Sequence, residues 1–149
     1  LPDVDNGIEV FTPDYVNVVA VTDTDTFLCF RQVKYGLEGE TLALVGGYVN
    51  DGEAPLAAAQ RELREETGYE APEWHDLGRY RVDPNRGIAM GHLFLARHAR
   101  WVAAPDADDL EEQQLLHLTR GQVETALTAG EFKVLAWTAA LALALRRLS

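Results

Sequence analysis

The stretch Gly47–Tyr69, GYVNDGEAPLAAAQRELREETGY, decides how this chain is read. Its special residues stand at fixed offsets: Gly47, then Glu53, then Arg61 and Glu62, then Glu65, Glu66 and Gly68. Asn50-Asp51-Gly52 is a turn signal. Pro55 suits the first turn of a helix, where a missing N–H costs nothing. The residues after it, LAAAQRELREET, are strong helix formers. Gly68 fits the left-handed position just past a helix end. The sequence thus predicts a helix over Pro55–Thr67 with tight turns at both ends.

On that helix Leu56, Ala59 and Leu63 form an apolar stripe predicted to pack on a sheet. Glu62 and Glu66 are four apart and point the same way, and Glu65 lies on the neighbouring face. Like charges at this spacing cost about 0.2–0.5 kcal/mol per pair on an exposed helix. Such crowding asks for a compensating cation or function. Arg61, four before Glu65, is placed to hold that carboxylate. An oxygen-rich set of hard ligands suits Mg²⁺ or Mn²⁺ rather than zinc. The histidines, at 75, 92, 98 and 117, are too scattered for a zinc site. Taken alone, RELREE also reads as a solvated helix of alternating Arg and Glu; the spacing of the whole stretch separates the two readings.

Outward from this helix the chain reads as strands. Val16–Val21 is valine-rich and Phe27–Val33 follows a polar turn, which predicts a hairpin. Thr41–Val49 resumes a strand pattern, interrupted at Gly46-Gly47. Trp74–Val82 and Ile88–Ala96 read as two further strands, and Leu115–Leu118 as a short one. Asp106–Glu112 is an acidic loop. Thr119 is expected to cap a helix over Arg120–Thr128, without a capping box. Glu131–Leu148 reads as a final helix, apolar nearly all round. Residues 1–15 form an irregular lead-in with a short edge strand at Ile8–Phe11. The order predicts an α/β sandwich, a mixed sheet between helices.

The length of 149 residues suggests one domain over 1–149, large enough for a core without staples. The single cysteine, Cys29, lies in an apolar run and reads as a buried small residue. A net charge of −11 argues against a nucleic-acid partner. It would also repel an anionic substrate unless divalent cations in a carboxylate-rich site compensate locally. No signal peptide is visible, and Val134–Leu145 is too short to span a bilayer, so no membrane partner and a cytoplasmic location are expected. Leu1 is not a methionine, so the chain reads as trimmed or as lacking upstream residues.

Gly47, Glu53, Arg61, Glu62, Leu63, Glu65, Glu66 and Gly68 together match the pattern G-x5-E-x7-R-E-U-x-E-E-x-G-U, where U is a bulky apolar residue. The stretch resembles the Nudix box, with Tyr69 where an aliphatic residue is usual. The similarity covers roughly residues 8–147. Phe30-Arg31-Gln32-Val33-Lys34-Tyr35, Pro84, the acidic loop and the two C-terminal helices look like the ADP-ribose or ADP-sugar pyrophosphatase branch. Val45, Asn50 and His92 stand where that branch commonly has proline, an acid and glutamate.

The resemblance implies a Nudix-type fold and metal-dependent hydrolysis of a nucleoside diphosphate derivative, ADP-ribose or another nucleotide sugar, to a nucleoside monophosphate and a sugar phosphate. Other Nudix substrates (nucleoside triphosphates, dinucleoside polyphosphates, a coenzyme) or a ligand-sensing module are the alternatives. Under this reading Glu62 and Glu66 are the principal metal ligands, with Glu65 a third and the Gly46 carbonyl an extra one. Glu53 and Arg61 form an orienting pair, and Gly47 and Gly68 serve backbone geometry. Base candidates are Glu112 and then Glu111 among the acids of the 108–112 loop, or Glu65 or Glu66 directly. Arg31, Arg81 and Arg86 are candidates for phosphate or ribose contacts, and Tyr35 and Tyr48 for stacking. Trp74, Tyr80 and Phe94 are expected to pack as core or strand residues, and His92 as a strand side chain. A homodimer is expected from the apolar C-terminal helix and from the branch resembled.

Overall fold

The computed structural model describes residues 13–34, 36–106 and 113–149. The expected edge strand at Ile8–Phe11, Tyr35 and the acids Asp108, Asp109, Glu111 and Glu112 lie outside the described residues.

The strands are β1 (Tyr15–Thr22), β2 (Phe27–Val33), β3 (Glu40–Ala43), β4 (Val45–Tyr48), β5 (Tyr69–Glu70), β6 (Glu73–Asp83), β7 (Ile88–Trp101) and β8 (Gln113–Leu118). The helices are α1 (Pro55–Thr67), α2 (Arg120–Thr128) and α3 (Leu135–Leu148). The result is a mixed eight-stranded sheet flanked by helices, an α/β sandwich as expected.

β1 is the organising strand. It lies antiparallel to β4, with Val16 opposite Gly47, and parallel to β7, with Val16 opposite His92. β6 extends this part as a long hairpin with β7. β2 leaves β1 through a tight turn, where Val21 pairs with Phe27, and then pairs with β3 on one side and β8 on the other. Side chains alternate along a strand, so each face of β1 has its own layer. Val16 shares its face with Gly47, against which Glu62 of α1 packs. Tyr15 shares the other face with Gly91, and both line a pocket with Val134, Ala136 and Ala139 at the start of α3. α1 and α3 thus cover opposite faces, each burying an apolar stripe. Ala58, Ala59 and Leu63 face inward from α1, and Trp137, Ala140, Leu141 and Ala144 from α3. Full burial of a side chain such as Leu63 contributes about 1.5–3 kcal/mol.

Several sequence expectations are corrected. The strand expected over Thr41–Val49 is two strands, because β3 pairs with β2 whereas β4 crosses to β1. Leu56 is 41 % exposed, since it sits in the first turn of α1 before the helix meets the sheet. The α1 stripe runs instead through Ala59, Leu63 and Thr67. Thr119 does form a capping box: its hydroxyl accepts from the Gln122 N–H, and the Gln122 side chain accepts from the Thr119 N–H. Gln122 at the third position plays the part that a glutamate would. The last helix begins at Leu135, not Glu131, because residues 131–133 bond to β3. The Leu42 N–H donates to the Glu131 carbonyl, and the Lys133 N–H donates to the Thr41 hydroxyl. α3 is also less uniformly buried than expected, with Leu135 84 % exposed. Tyr80 packs as a strand residue over Gly78 on β6, half exposed, and Trp74 packs edge-on against Phe94, both as expected. Cys29 is fully buried, and burial pushes its thiol up to about 12.

Candidate active site

The acidic helix is held in place at both ends. At its start no side chain caps the backbone and Pro55 opens the first turn. The preceding turn is closed by Glu53, whose Oε1 accepts from the Asn50 N–H at 3.0 Å. At its end Gly68 adopts φ 77°, and its N–H donates to the Arg64 carbonyl. The Gly68 carbonyl accepts from Val102 and Ala103, and the Asp106 N–H donates to the Glu65 carbonyl. A β-carbon on Gly68 would run into the Ala103 carbonyl. The turn therefore needs glycine for its conformation and for its lack of a side chain.

Arg61 is the hub of the site. Its Nε and Nη2 form a fork on Glu53, at 2.9 and 3.0 Å. Nη1 reaches Glu62 at 2.5 Å and Glu65 at 3.3 Å, and Nη2 also donates to the Tyr48 carbonyl at 3.0 Å. The hydrogen bonds from Arg61 and then from the Asn50 N–H hold the Glu53 carboxyl down to about 2, and the same contacts hold Arg61 firmly protonated. A planar guanidinium can serve several carboxylates at fixed angles in a way that an ammonium cannot.

Glu62 and Glu66 meet the backbone at Gly46-Gly47. The Glu66 Oε2 accepts from the Gly46 N–H at 3.1 Å. The Glu62 carboxyl lies against Gly47, 2.5–2.6 Å from where a β-carbon would stand. Gly46 has its own reason to lack a side chain, because a β-carbon would meet the Val16 carbonyl at 2.7 Å and the Asn17 amide. The two glycines thus let two carboxylates and one strand share a small volume. Glu65 is 45 % exposed and turned to Arg61. Among the described residues no three Asp, Glu, His or Cys side chains converge as a ready cation cage. The donor chemistry nevertheless suits a hard cation, since Glu62 and Glu66 bring two carboxylates to one pair of glycines.

A cleft of about 340 Å³ opens beside these residues, on the α3 side. Gly46, Gly47, Tyr48 and Glu66 form one wall. Asn17, Gln32, Lys34 and Gln113 contribute polar groups, and Val134, Ala136 and Trp137 close the far side. Glu66 is the one α1 carboxylate that lines it.

The other expected site residues are spread more widely. Tyr48 is 62 % exposed at the cleft rim. Arg31 alternates to the opposite side of β2 from Gln32 and lines a separate pocket with Thr119, Gly121 and Gln122. Arg81 donates to the Gly87 carbonyl and Arg86 pairs with Asp83, both on the β6–β7 hairpin. His92 is a buried strand residue whose Nε2 lies 3.3 Å from Asp14. Burial pushes the Asp14 carboxyl up, but the Met90 N–H, His92 and Arg81 outweigh it and hold it low. The base candidates Glu111 and Glu112 lie outside the described residues, although the chain on either side is placed: Asp106 is bonded to the carbonyl of Glu65, and Gln113 lines the cleft. Asn17 and Gln113 are not among the residues the sequence points to, and Gln32 enters there only within the run Phe30–Tyr35, without a site role. A signal existed for Asn17 and Gln32, as carboxamides inside otherwise apolar strands.

Residues 12–138 match the NUDIX domain family. The chain belongs to that family. Among curated proteins, the NUDIX chain is 30 % identical over 115 residues to an ADP-ribose pyrophosphatase of Bacillus subtilis, covering 77 % of this chain and 61 % of the relative. It is 29 % identical over 115 residues to a methanol dehydrogenase activator of Bacillus methanolicus, with the same coverage. The chain therefore spans about three fifths of the length of these relatives. Among solved structures, the NUDIX fold superposes on an ADP compounds hydrolase with TM-score 0.78 at 23 % identity, covering 91 % of this chain and 72 % of the other. A NUDIX hydrolase from Nitrosomonas europaea superposes with TM-score 0.69 at 16 % identity, covering 91 % and 90 %. No helix among the described residues is long and apolar enough to cross a membrane.

Proposed function

We propose that this NUDIX domain hydrolyses the diphosphate linkage of a nucleoside diphosphate derivative, ADP-ribose or another nucleotide sugar, with Mg²⁺ or Mn²⁺. The observation that carries the reading is the convergence of Glu62 and Glu66 on Gly46-Gly47 at the wall of a substrate-sized cleft. The curated relative named as an ADP-ribose pyrophosphatase supports the substrate class.

Glu62 and Glu66 would hold the cation, with the Gly46 carbonyl beside them and Glu65 in reserve on Arg61. When bound, the cation neutralises phosphate charge and acidifies a water. The protein's own task is positioning. Arg61 fixes the rotamers of Glu62 and Glu65, and Glu53 fixes Arg61 in turn. Glu66, or an acid of the 111–112 pair, takes the proton from the attacking water. Tyr48 offers an exposed ring at the rim for the base. Tyr80, Val82 and Leu135 form an exposed apolar area, which supports a homodimer; sedimentation as a monomer at micromolar concentration would contradict it.

The decisive experiment is product analysis with Mg²⁺ and Mn²⁺ over ADP-ribose, other nucleotide sugars, dinucleoside polyphosphates and nucleoside triphosphates. Release of AMP and a sugar phosphate supports the proposal. Turnover of triphosphates or dinucleotides alone keeps the chemistry and overturns the substrate. No metal-dependent turnover overturns the hydrolase.

A further inference from the structure

The cleft holds a polar side chain that nothing in the fold explains. Gln32 is only 5 % exposed, yet among the described residues its carboxamide has no hydrogen-bond partner. No fully enclosed side-chain nitrogen or oxygen among the described residues lacks a partner, so the Gln32 amide must open onto the cleft that it lines. A buried carboxamide left unpaired costs about 1–3 kcal/mol, which makes it a group kept for something it binds.

Its surroundings define what that is. Gln113 is the residue directly opposite Gln32 across the β2–β8 ladder, so both side chains stand on the same face. Gln113 lines the same cleft, and among the described residues its amide too has no partner. Facing them is the start of α3. Val134 is at the N-cap and supplies no side-chain cap, and Val134, Ala136 and Trp137 line the cleft. The Trp137 N–H already donates to the Val134 carbonyl at 3.0 Å, so among the cleft-lining residues of α3 the N–H of Ala136 is the one left open, at the positive end of the helix dipole. Asn17 adds a buried amide whose one side-chain bond among the described residues is a long one, 3.4 Å to the Val45 carbonyl. Only one carboxylate, Glu66, borders this cleft among the described residues. In a chain of net charge −11, this is a local concentration of donors.

We propose that Gln32, Gln113 and the open N-terminus of α3 form an anion subsite that receives a phosphate group, with Gln32 as the residue that binds it. Under the hydrolase reading, on which its place in catalysis rests, this subsite takes the phosphate that remains with one product. Its existence does not require cation binding at Glu62 and Glu66, and this makes it separately testable.

The test is a titration of the intact protein with inorganic phosphate and with AMP in EDTA, followed by amide chemical shifts and calorimetry. The expected result is saturable binding that moves the backbone amide signal of Ala136 and the side-chain amide signals of Gln32 and Gln113. In Gln32→Leu affinity falls about tenfold, in Gln113→Leu by a smaller factor, and in Gln114→Leu, an exposed neighbour facing away, it is unchanged. Melting curves for each variant show which are folded, and the shift map of the unmutated protein serves if Gln32→Leu is not. Absence of phosphate binding in EDTA, shift changes that leave these three residues unmoved, or full affinity in folded Gln32→Leu would each overturn the subsite. Loss of turnover with phosphate binding intact would instead sink the hydrolase reading and leave the subsite standing.

Discussion

The carboxyl of Glu62 occupies the space that a β-carbon on Gly47 would need, 2.5–2.6 Å from that point. The glycine and the glutamate come from different elements, β4 and α1, yet neither position can change alone.

For Gly47→Ala the added methyl pushes Glu62 away from the strand and from its partner Arg61. On the proposed reading, in which Glu62 holds the cation, hydrolysis should fall about 10- to 100-fold, the usual effect of disturbing the support of a metal ligand. Gly47 lies on a strand and needs no positive φ, so the melting temperature should change much less than activity. Steady-state kinetics alongside thermal melts check this; an active Gly47→Ala would show that Glu62 is not held where it works.

Glu66→Gln keeps a side-chain oxygen for the Gly46 N–H but removes the charge. The variant should fold normally and lose on the order of 10²–10³ in kcat, as happens when one electrostatic contact of a transition state is removed. Product release at saturating substrate and Mg²⁺ is the measurement.

Glu53 titrates low, near 2, because Arg61 and the Asn50 N–H bind its charged form. A depressed carboxyl adds stability that is complete above its unfolded value, ordinarily about 4.3, and is lost as pH falls toward the folded value. The Asn50–Glu53–Arg61 link should therefore survive to about pH 3 and release by about pH 2. Side-chain carbonyl shifts followed by NMR would locate the midpoint, and Arg61→Lys, which loses the fork, should move it upward.

Gly68→Ala places a side chain at φ 77° and against the Ala103 carbonyl. Both effects act on folding, so stability should fall by more than about 1 kcal/mol. Urea unfolding measures it. Activity per folded molecule should fall as well, since this turn fixes the end of the helix that carries Glu65 and Glu66.

The helix Pro55–Thr67 and its glycine stop were legible because capping chemistry and helix propensity are local, and the chain obeys both. The β1–β2 hairpin was legible for the same reason. What escaped depends on distant partners. Nothing within Thr41–Val49 says that its two halves pair with different strands, and nothing within 131–134 says that β3 will claim that backbone before α3 can start. The carboxylates of the candidate site are placed on one helix by their spacing, but their contacts could not be read from it. Arg61 reaches Glu53, Glu62 and Glu65 together, which requires the turn before the helix to fold back on it. The cleft amides could not be located at all, because Gln32 and Gln113 become neighbours only through the β2–β8 register.

Val16 lies between Gly47 and His92. One neighbour is about thirty residues away along the chain and the other about seventy-five, so the strand beneath the site closes only after two long loops have done so. Folding should accordingly be slow, as in other proteins rich in distant contacts. A nascent chain will carry the acidic helix and the β1–β4 pair beneath it well before β7 is made to close the other side of β1.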